Sequence, residues 1–123
     1  MARILVVDDS LDQVTVQRKL FETLGYQVAT AMSPDETLRE LARTRPDLVV
    51  VDLRFPHASD GLALIRAIRQ IDSKLPMIVL SGWPDDLYGA PEESLVSRIV
   101  VKGSVHELLQ TIRELLAECG ADS

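Results

Sequence analysis

The chain has 123 residues, with 13 Lys and Arg against 19 Asp and Glu and a formal net charge of −6 at pH 7. That length suits one domain with its own core, and 46% hydrophobic with 26% charged residues is a globular composition, not a disordered one. The acid excess argues against direct nucleic-acid binding, apolar runs no longer than Leu48 to Val51 argue against a membrane span, and a lone cysteine, Cys119, excludes an internal disulfide or a cysteine-cluster metal site.

The first element is the run Ile4-Leu5-Val6-Val7, which stops at Asp8. Its β-branched content and lack of polar alternation predict a strand covered on both faces of a parallel sheet. Ser10-Leu11-Asp12-Gln13 then fits a capping box and predicts a helix, with Asp9 as the alternative cap. A weaker strand reads Gln27-Val28-Ala29-Thr30-Ala31. Ser33-Pro34-Asp35-Glu36 opens the second helix, with Pro34 at the first position, where its missing N–H costs nothing. Leu48 to Val51 is a third strand ending at Asp52, followed by a helix with Leu62, Ile65 and Ile68 on one face.

Met77-Ile78-Val79-Leu80 is a fourth strand ending at Ser81. The stretch Gly82 to Ser97 holds Pro84, Gly89 and Pro91, which predict one short helix, starting near Pro84 or near Pro91, and an irregular remainder. Ile99-Val100-Val101 ends at Lys102, and Ser104-Val105-His106-Glu107 supplies a third capping box. The last helix carries Leu108, Leu109, Ile112, Leu115 and Leu116 as a stripe of helical period. His106 and Cys119 are expected on the surface, and the tail from Gly120 to Ser123 is expected to fray.

Strands alternating with helices imply right-handed crossovers and helices on both faces of one sheet. The predicted fold is α/β: a flavodoxin-like, doubly wound, five-stranded parallel sheet of order 2-1-3-4-5 with a short or irregular fourth helix. One domain fills residues 1–123, with its core in 2–118. The opening Met1-Ala2-Arg3 leads into only four apolar residues, so no secretory signal is expected and the domain is expected to be cytoplasmic.

In such sheets ligands bind at the carboxyl ends of the strands, beside the switch point between strands 1 and 3. Strands 1, 3, 4 and 5 end in Asp8-Asp9, Asp52, Ser81 and Lys102, whereas strand 2 ends in the bland Ala31-Met32-Ser33. Any one of these polar residues reads as an ordinary cap, turn hydroxyl or edge charge. Together they come from separate elements and converge only in three dimensions. Three crowded carboxylates need counter-charge; Lys102 supplies one, and hard oxygen donors without His or Cys favour Mg²⁺ for the rest. A metal, a hydroxyl and an ammonium suit a phosphoryl group, and Asp52, flanked by the acids of strand 1 and by Ser81, is the best candidate nucleophile.

These residues resemble a bacterial response-regulator receiver domain over residues 2 to about 118. The acidic pair Asp8-Asp9, the segment Asp52-Leu53-Arg54-Phe55-Pro56 (similar to the family's D-L-x-M-P), Asp60-Gly61, Ser81 and Lys102 carry the resemblance. It implies that Asp52 accepts a phosphoryl group from a phosphohistidine on a sensor histidine kinase or phosphotransfer protein. It implies too that Asp9 and Asp52, with the Arg54 carbonyl, bind Mg²⁺ while Asp8 acts mostly through water. Ser81 and Lys102 would contact the phosphoryl oxygens, with Ser81 moving toward them on activation.

The chain departs from the family pattern in several places. Ile99 stands where many receivers carry a switch aromatic. Gly103 replaces a proline that is usually cis, so a trans bond and a positive φ are expected. Arg54 and Trp83, bulky and two residues beyond Asp52 and Ser81, read either as surface packing or as a stacked pair that restricts water's approach to phosphorylated Asp52. His57 lies in a loop one residue longer than usual and is expected to be solvated. The family's output face is helix 4, strand 5 and helix 5, and the broken Gly82–Ser97 segment alters its first part. Ile99, Gly103 and that segment favour a second reading, a pseudo-receiver acting as a phosphorylation-independent interaction module. An aspartyl-phosphate phosphatase would need D-x-D and a cap domain, and a flavodoxin-type binder a glycine-rich loop where Asp8 and Asp9 stand. A homodimer, the downstream protein and a larger parent chain are left open.

Overall fold

A computed structural model of the chain describes residues 2–52, 58–82 and 89–118. Five strands, β1 (Arg3–Val7), β2 (Gln27–Ala31), β3 (Leu48–Asp52), β4 (Met77–Ser81) and β5 (Arg98–Val101), pair in parallel in the order β2-β1-β3-β4-β5. The described helices are α1 (Leu11–Thr23), α2 (Pro34–Thr44), α3 (Ala58–Ile71) and α4 (Val105–Glu118), with a 3₁₀ helix over Pro91–Leu95. This is the doubly wound α/β sheet that the alternation of apolar runs and capping boxes predicts, switch point included.

Strand alternation sorts the side chains into two cores. Ile4 and Val6 of β1, Leu48 and Val50 of β3, and Ile78 and Leu80 of β4 face α1 and α4, meeting Val14, Phe21, Leu108, Ile112 and Leu115. Leu5, Val7, Val49, Val51, Met77 and Val79 face the opposite way, onto Leu41 of α2 and Leu64, Ile65 and Ile68 of α3. Burial on both faces is why these runs show no polar alternation.

The helix starts are built largely as the capping boxes suggest. Ser10 Oγ accepts the Gln13 N–H at 3.4 Å, and Ser33 Oγ accepts the Glu36 N–H at 3.1 Å. The first box is not reciprocal, however: the Ser10 N–H donates to Asp8 Oδ1 at 2.9 Å, tying the start of α1 to the end of β1. At the other end of α1, Gly25 takes φ 96° and the Tyr26 N–H donates to the Phe21 carbonyl at 3.1 Å, a Schellman-type stop.

The proline-broken stretch forms the 3₁₀ helix that begins at Pro91, docked on α3. Arg66 pairs with the buried Glu92, and Arg69 Nε donates to the Leu95 carbonyl at 2.7 Å. Glu92 is held below the usual carboxylate range, chiefly by its hydrogen bond from Arg66. The alternative start near Pro84 lies outside the described residues, as do Arg54, His57, Trp83, Cys119 and the tail. His106 is exposed as expected. Among the described residues no helix is long and apolar enough to cross a membrane.

Candidate functional site

The site grows from the sheet's pleat. Val7 of β1 sits opposite Val51 of β3, so the next residues, Asp8 and Asp52, emerge side by side. Continuing the alternation of Ile4 and Val6 on one strand, and of Leu48 and Val50 on the other, both carboxylates turn toward α1 and α4. Asp9 follows in the loop. One carboxylate oxygen from each of Asp8, Asp9 and Asp52 lies within 4.8 Å of the others. Lys102, just past β5, reaches in with Nζ 3.0 Å from Asp52 Oδ2.

Burial and charge set the electrostatics. Asp8 is 3% exposed and Asp52 6%, whereas Asp9 is exposed. Burial pushes the Asp8 carboxyl above its ordinary range, and the Asp52 and Asp9 charges add to that; the Ser10 N–H and Lys102 pull the other way. Three acids against one ammonium is a site short of positive charge. Hard, crowded carboxylate oxygens of this kind fit a small divalent cation such as Mg²⁺.

The carboxylates open into a cavity of about 450 Å³ between α1 and α4, lined on its apolar side by Val16, Leu20, Leu80, Val101, Val105 and Leu108. Gly103 takes φ 98°, the left-handed conformation expected once proline is replaced there. Ile99 is half-buried and packs against the α2–α3 core with Leu95 and Val96, so its side chain completes the hydrophobic layer.

Asp8, Asp9, Asp52 and Lys102 are thus brought together. Ser81 is placed differently. It ends β4 fully buried, and the alternation of Met77 and Val79 directs it to the α2–α3 side. Its carbonyl accepts the Lys102 N–H at 2.9 Å, tying β4 to the loop that carries the lysine. Arg54 and Trp83, expected beside the acceptor, lie outside the described residues.

Sequence reasoning missed Gln17. It is buried on α1, lines the same cavity, and its Oε1 has no hydrogen-bond partner among the described residues. The available signal was a glutamine at the spacing of the buried positions Val14 and Phe21. The Arg66–Glu92 pair was not foreseeable, because it joins residues 26 apart across two elements.

A parallel sheet that gathers an acid cluster and a lysine at its switch point defines a class of phosphoryl-handling α/β signalling domains. The response regulator receiver domain family model matches residues 4–115, and the chain belongs to that family. It is similar to the transcriptional regulatory protein PrrA of Mycobacterium leprae, with 33% identity over 121 residues, 97% of this chain and 52% of that protein. The chain therefore spans about half the length of that curated relative. Among solved structures it resembles the response regulator TrrA of Thermotoga maritima in complex with Mg²⁺–BeF, at 27% identity and a TM-score of 0.84, covering 94% of this chain and 100% of that one. TrrA in complex with the histidine kinase ThkA matches at 28% identity and a TM-score of 0.82, covering 94% and 99%.

Proposed function

We propose that Asp52 is the phosphoacceptor of a two-component phosphorelay. The observation that carries this is the buried Asp52 carboxylate, held 3.0 Å from Lys102 and within 4.8 Å of two further carboxylates at the carboxyl edge of the sheet. A carboxylate oxygen of Asp52 forms the new P–O bond as the P–N bond of a donor phosphohistidine breaks, and the imidazole leaves. Lys102 spreads the charge of the phosphoryl oxygens. Asp8, Asp9 and Asp52, with the Arg54 carbonyl, would hold Mg²⁺, which when bound neutralises the acid cluster and the incoming phosphoryl group. Ser81 would turn from the α2–α3 side toward those oxygens on activation.

The surface around the crevice supports a protein donor. Val16, Val101 and Val105 are exposed apolar residues lining the cavity into which the carboxylates open. They form an apolar rim suited to a helical, phosphohistidine-bearing partner, consistent with the kinase complex of TrrA. The phosphorylated domain would then act on a downstream protein through a changed surface.

Acetyl phosphate with Mg²⁺ should add the mass of one phosphoryl group to the intact chain. Hydroxylamine should remove it, and Asp52→Asn should abolish it. A mass gain that persists in Asp52→Asn, or that never forms in the wild type, overturns the assignment.

A further inference from the structure

The opposite end of the sheet carries a second cleft that phosphoryl transfer does not use. The strand order leaves β2 at an edge. The Gln27 N–H donates to the Ala2 carbonyl at 2.9 Å, and the Ala31 carbonyl accepts the Asp8 N–H at 3.2 Å. In a parallel ladder the odd-numbered residues of β2 therefore face β1, and Val28 and Thr30 turn their N–H and C=O groups outward. Two donors and two acceptors are displayed along the free edge, in register for an added strand.

This edge lies at the base of a cavity of about 430 Å³ lined by Arg3, Arg18, Arg43, Glu40 and the strand itself. Arg18 comes from α1 on one face of the sheet and Arg43 from α2 on the other, so the cleft has a cationic wall on each side. Arg3 crosses its floor, donating to Gln27 Oε1 from Nε and Nη2 at 3.2 and 2.9 Å and to the Thr44 carbonyl. Of the nearby acids, Glu40 is taken up by Arg43 at 2.6 and 2.7 Å, Glu22 lies 3.8 Å from Arg18, and Asp47 accepts the Arg3 backbone N–H at 2.8 Å. Glu22 and Asp47 do not line the cleft, so the surface that faces an added strand carries three guanidinium groups against one carboxylate, on a chain of net charge −6.

We infer that this edge is a docking site for an extended, acidic segment of a partner protein, which adds to the sheet as a sixth strand. Its backbone would pair with Val28 and Thr30, while its carboxylates meet Arg18 and Arg43 on the two sides. Charge complementarity selects this occupant. A second copy of the chain would bring its own arginines against these, which disfavours self-pairing.

The probe is a labelled, blocked heptapeptide, Val-Glu-Glu-Val-Glu-Glu-Val, whose adjacent glutamates fall on opposite faces of an added strand; it is titrated into the full chain by fluorescence anisotropy and followed by ¹⁵N amide shifts. Saturable binding is expected, with the Val28 and Thr30 amides among those that move and with affinity falling as salt rises. The lysine–valine counterpart should not bind. Thr30→Pro removes an outward N–H without touching the β1 ladder and should weaken binding about fivefold, as the loss of one hydrogen bond does. The surface variant R18E/R43E, which leaves the edge intact, should weaken it roughly tenfold or more. Equal binding of both peptides, insensitivity to R18E/R43E, or no binding at all would overturn the proposal, the last leaving the arginines as guards against edge aggregation. A concentration-dependent dimer that Thr30→Pro abolishes, without peptide binding, would overturn it in favour of a second copy.

Discussion

Replacing Asp8 by asparagine should stabilise the metal-free protein. Asp8 is buried beside Asp52 and Asp9, and its carboxyl is pushed above the ordinary value of 3.8 mainly by that burial. Two like charges within 4.8 Å of each other repel by at least about 3.5 kcal/mol at an effective dielectric of about 20. Lys102 offsets much of this at Asp52, and an asparagine oxygen still accepts the Ser10 N–H, so the net gain should be about 1–2 kcal/mol. For a chain of this size that is a rise in Tm of roughly 3–10 °C, measured by circular dichroism in EDTA at pH 7. The sign with pH follows from linkage: a carboxyl whose folded pKa is raised carries no penalty below its unfolded value and the full penalty above its folded one. The advantage of Asp8→Asn should therefore shrink as pH falls toward 3.8. Mg²⁺ at about 100 times its Kd would stabilise the wild type by about 2.7 kcal/mol and the variant by less, closing or reversing the gap. A variant no more stable than wild type in EDTA at pH 7 would refute the view of this cluster as electrostatically frustrated without metal.

Gly103→Ala meets nothing within 4 Å, so its cost is that of φ 98° alone: about 1–2 kcal/mol in urea unfolding, and an unchanged midpoint would contradict the strained backbone. Arg45 ends α2 at φ 47°, the one described non-glycine residue with positive φ, and Arg45→Gly should raise stability by about 0.5 kcal/mol; a loss would show that its side chain matters more than its backbone. Arg66→Ala should speed hydrogen exchange at residues 91–96 while leaving β1 and β3 protected, and unchanged exchange would mean the ion pair does not hold the 3₁₀ helix. In the wild type that support is present above the ordinary Glu92 value of 4.5 and is lost as pH falls through its lowered value, so the segment should loosen first on acidification.

The fold was legible because each signal was local. Continuous apolar runs mark strands buried on both faces, and Ser10 and Ser33 mark helix starts through bonds spanning three residues. The acid cluster was legible because parallel topology sends every strand end to one edge. What sequence could not supply was direction about the strand axis. Asp52 and Ser81 both look like polar residues ending apolar runs, yet β3 presents its last side chain to the α1–α4 side and β4 presents its own to the other. Ser10 likewise fitted a reciprocal capping box, but the nearby Asp8 carboxylate takes its N–H. Gln17 was passed over because one glutamine on an otherwise apolar helix face is indistinguishable from a boundary position until the opposing helix is placed.

That same parity constrains how phosphorylation of Asp52 would be felt elsewhere. Ser81 sits on the α2–α3 side, its carbonyl bonded to the Lys102 N–H, and Ile99 of β5 packs on that side with Leu95 and Val96 of the Pro91–Leu95 region. A turn of Ser81 toward Asp52 removes volume next to this layer, and close-packed interiors respond to such changes by repacking. With an aliphatic Ile99 in this layer, one route for such a response is a shift of the layer that loosens the Arg66–Glu92 attachment. Ile99→Ala should then separate chemistry from response. Beryllofluoride with Mg²⁺ should still bind at Asp52, but the change in hydrogen exchange at residues 91–96 that it causes in the wild type should fall severalfold. An undiminished change in Ile99→Ala would show that the signal leaves the site by another path, such as the apolar groove between α1 and α4 that Gln17 lines.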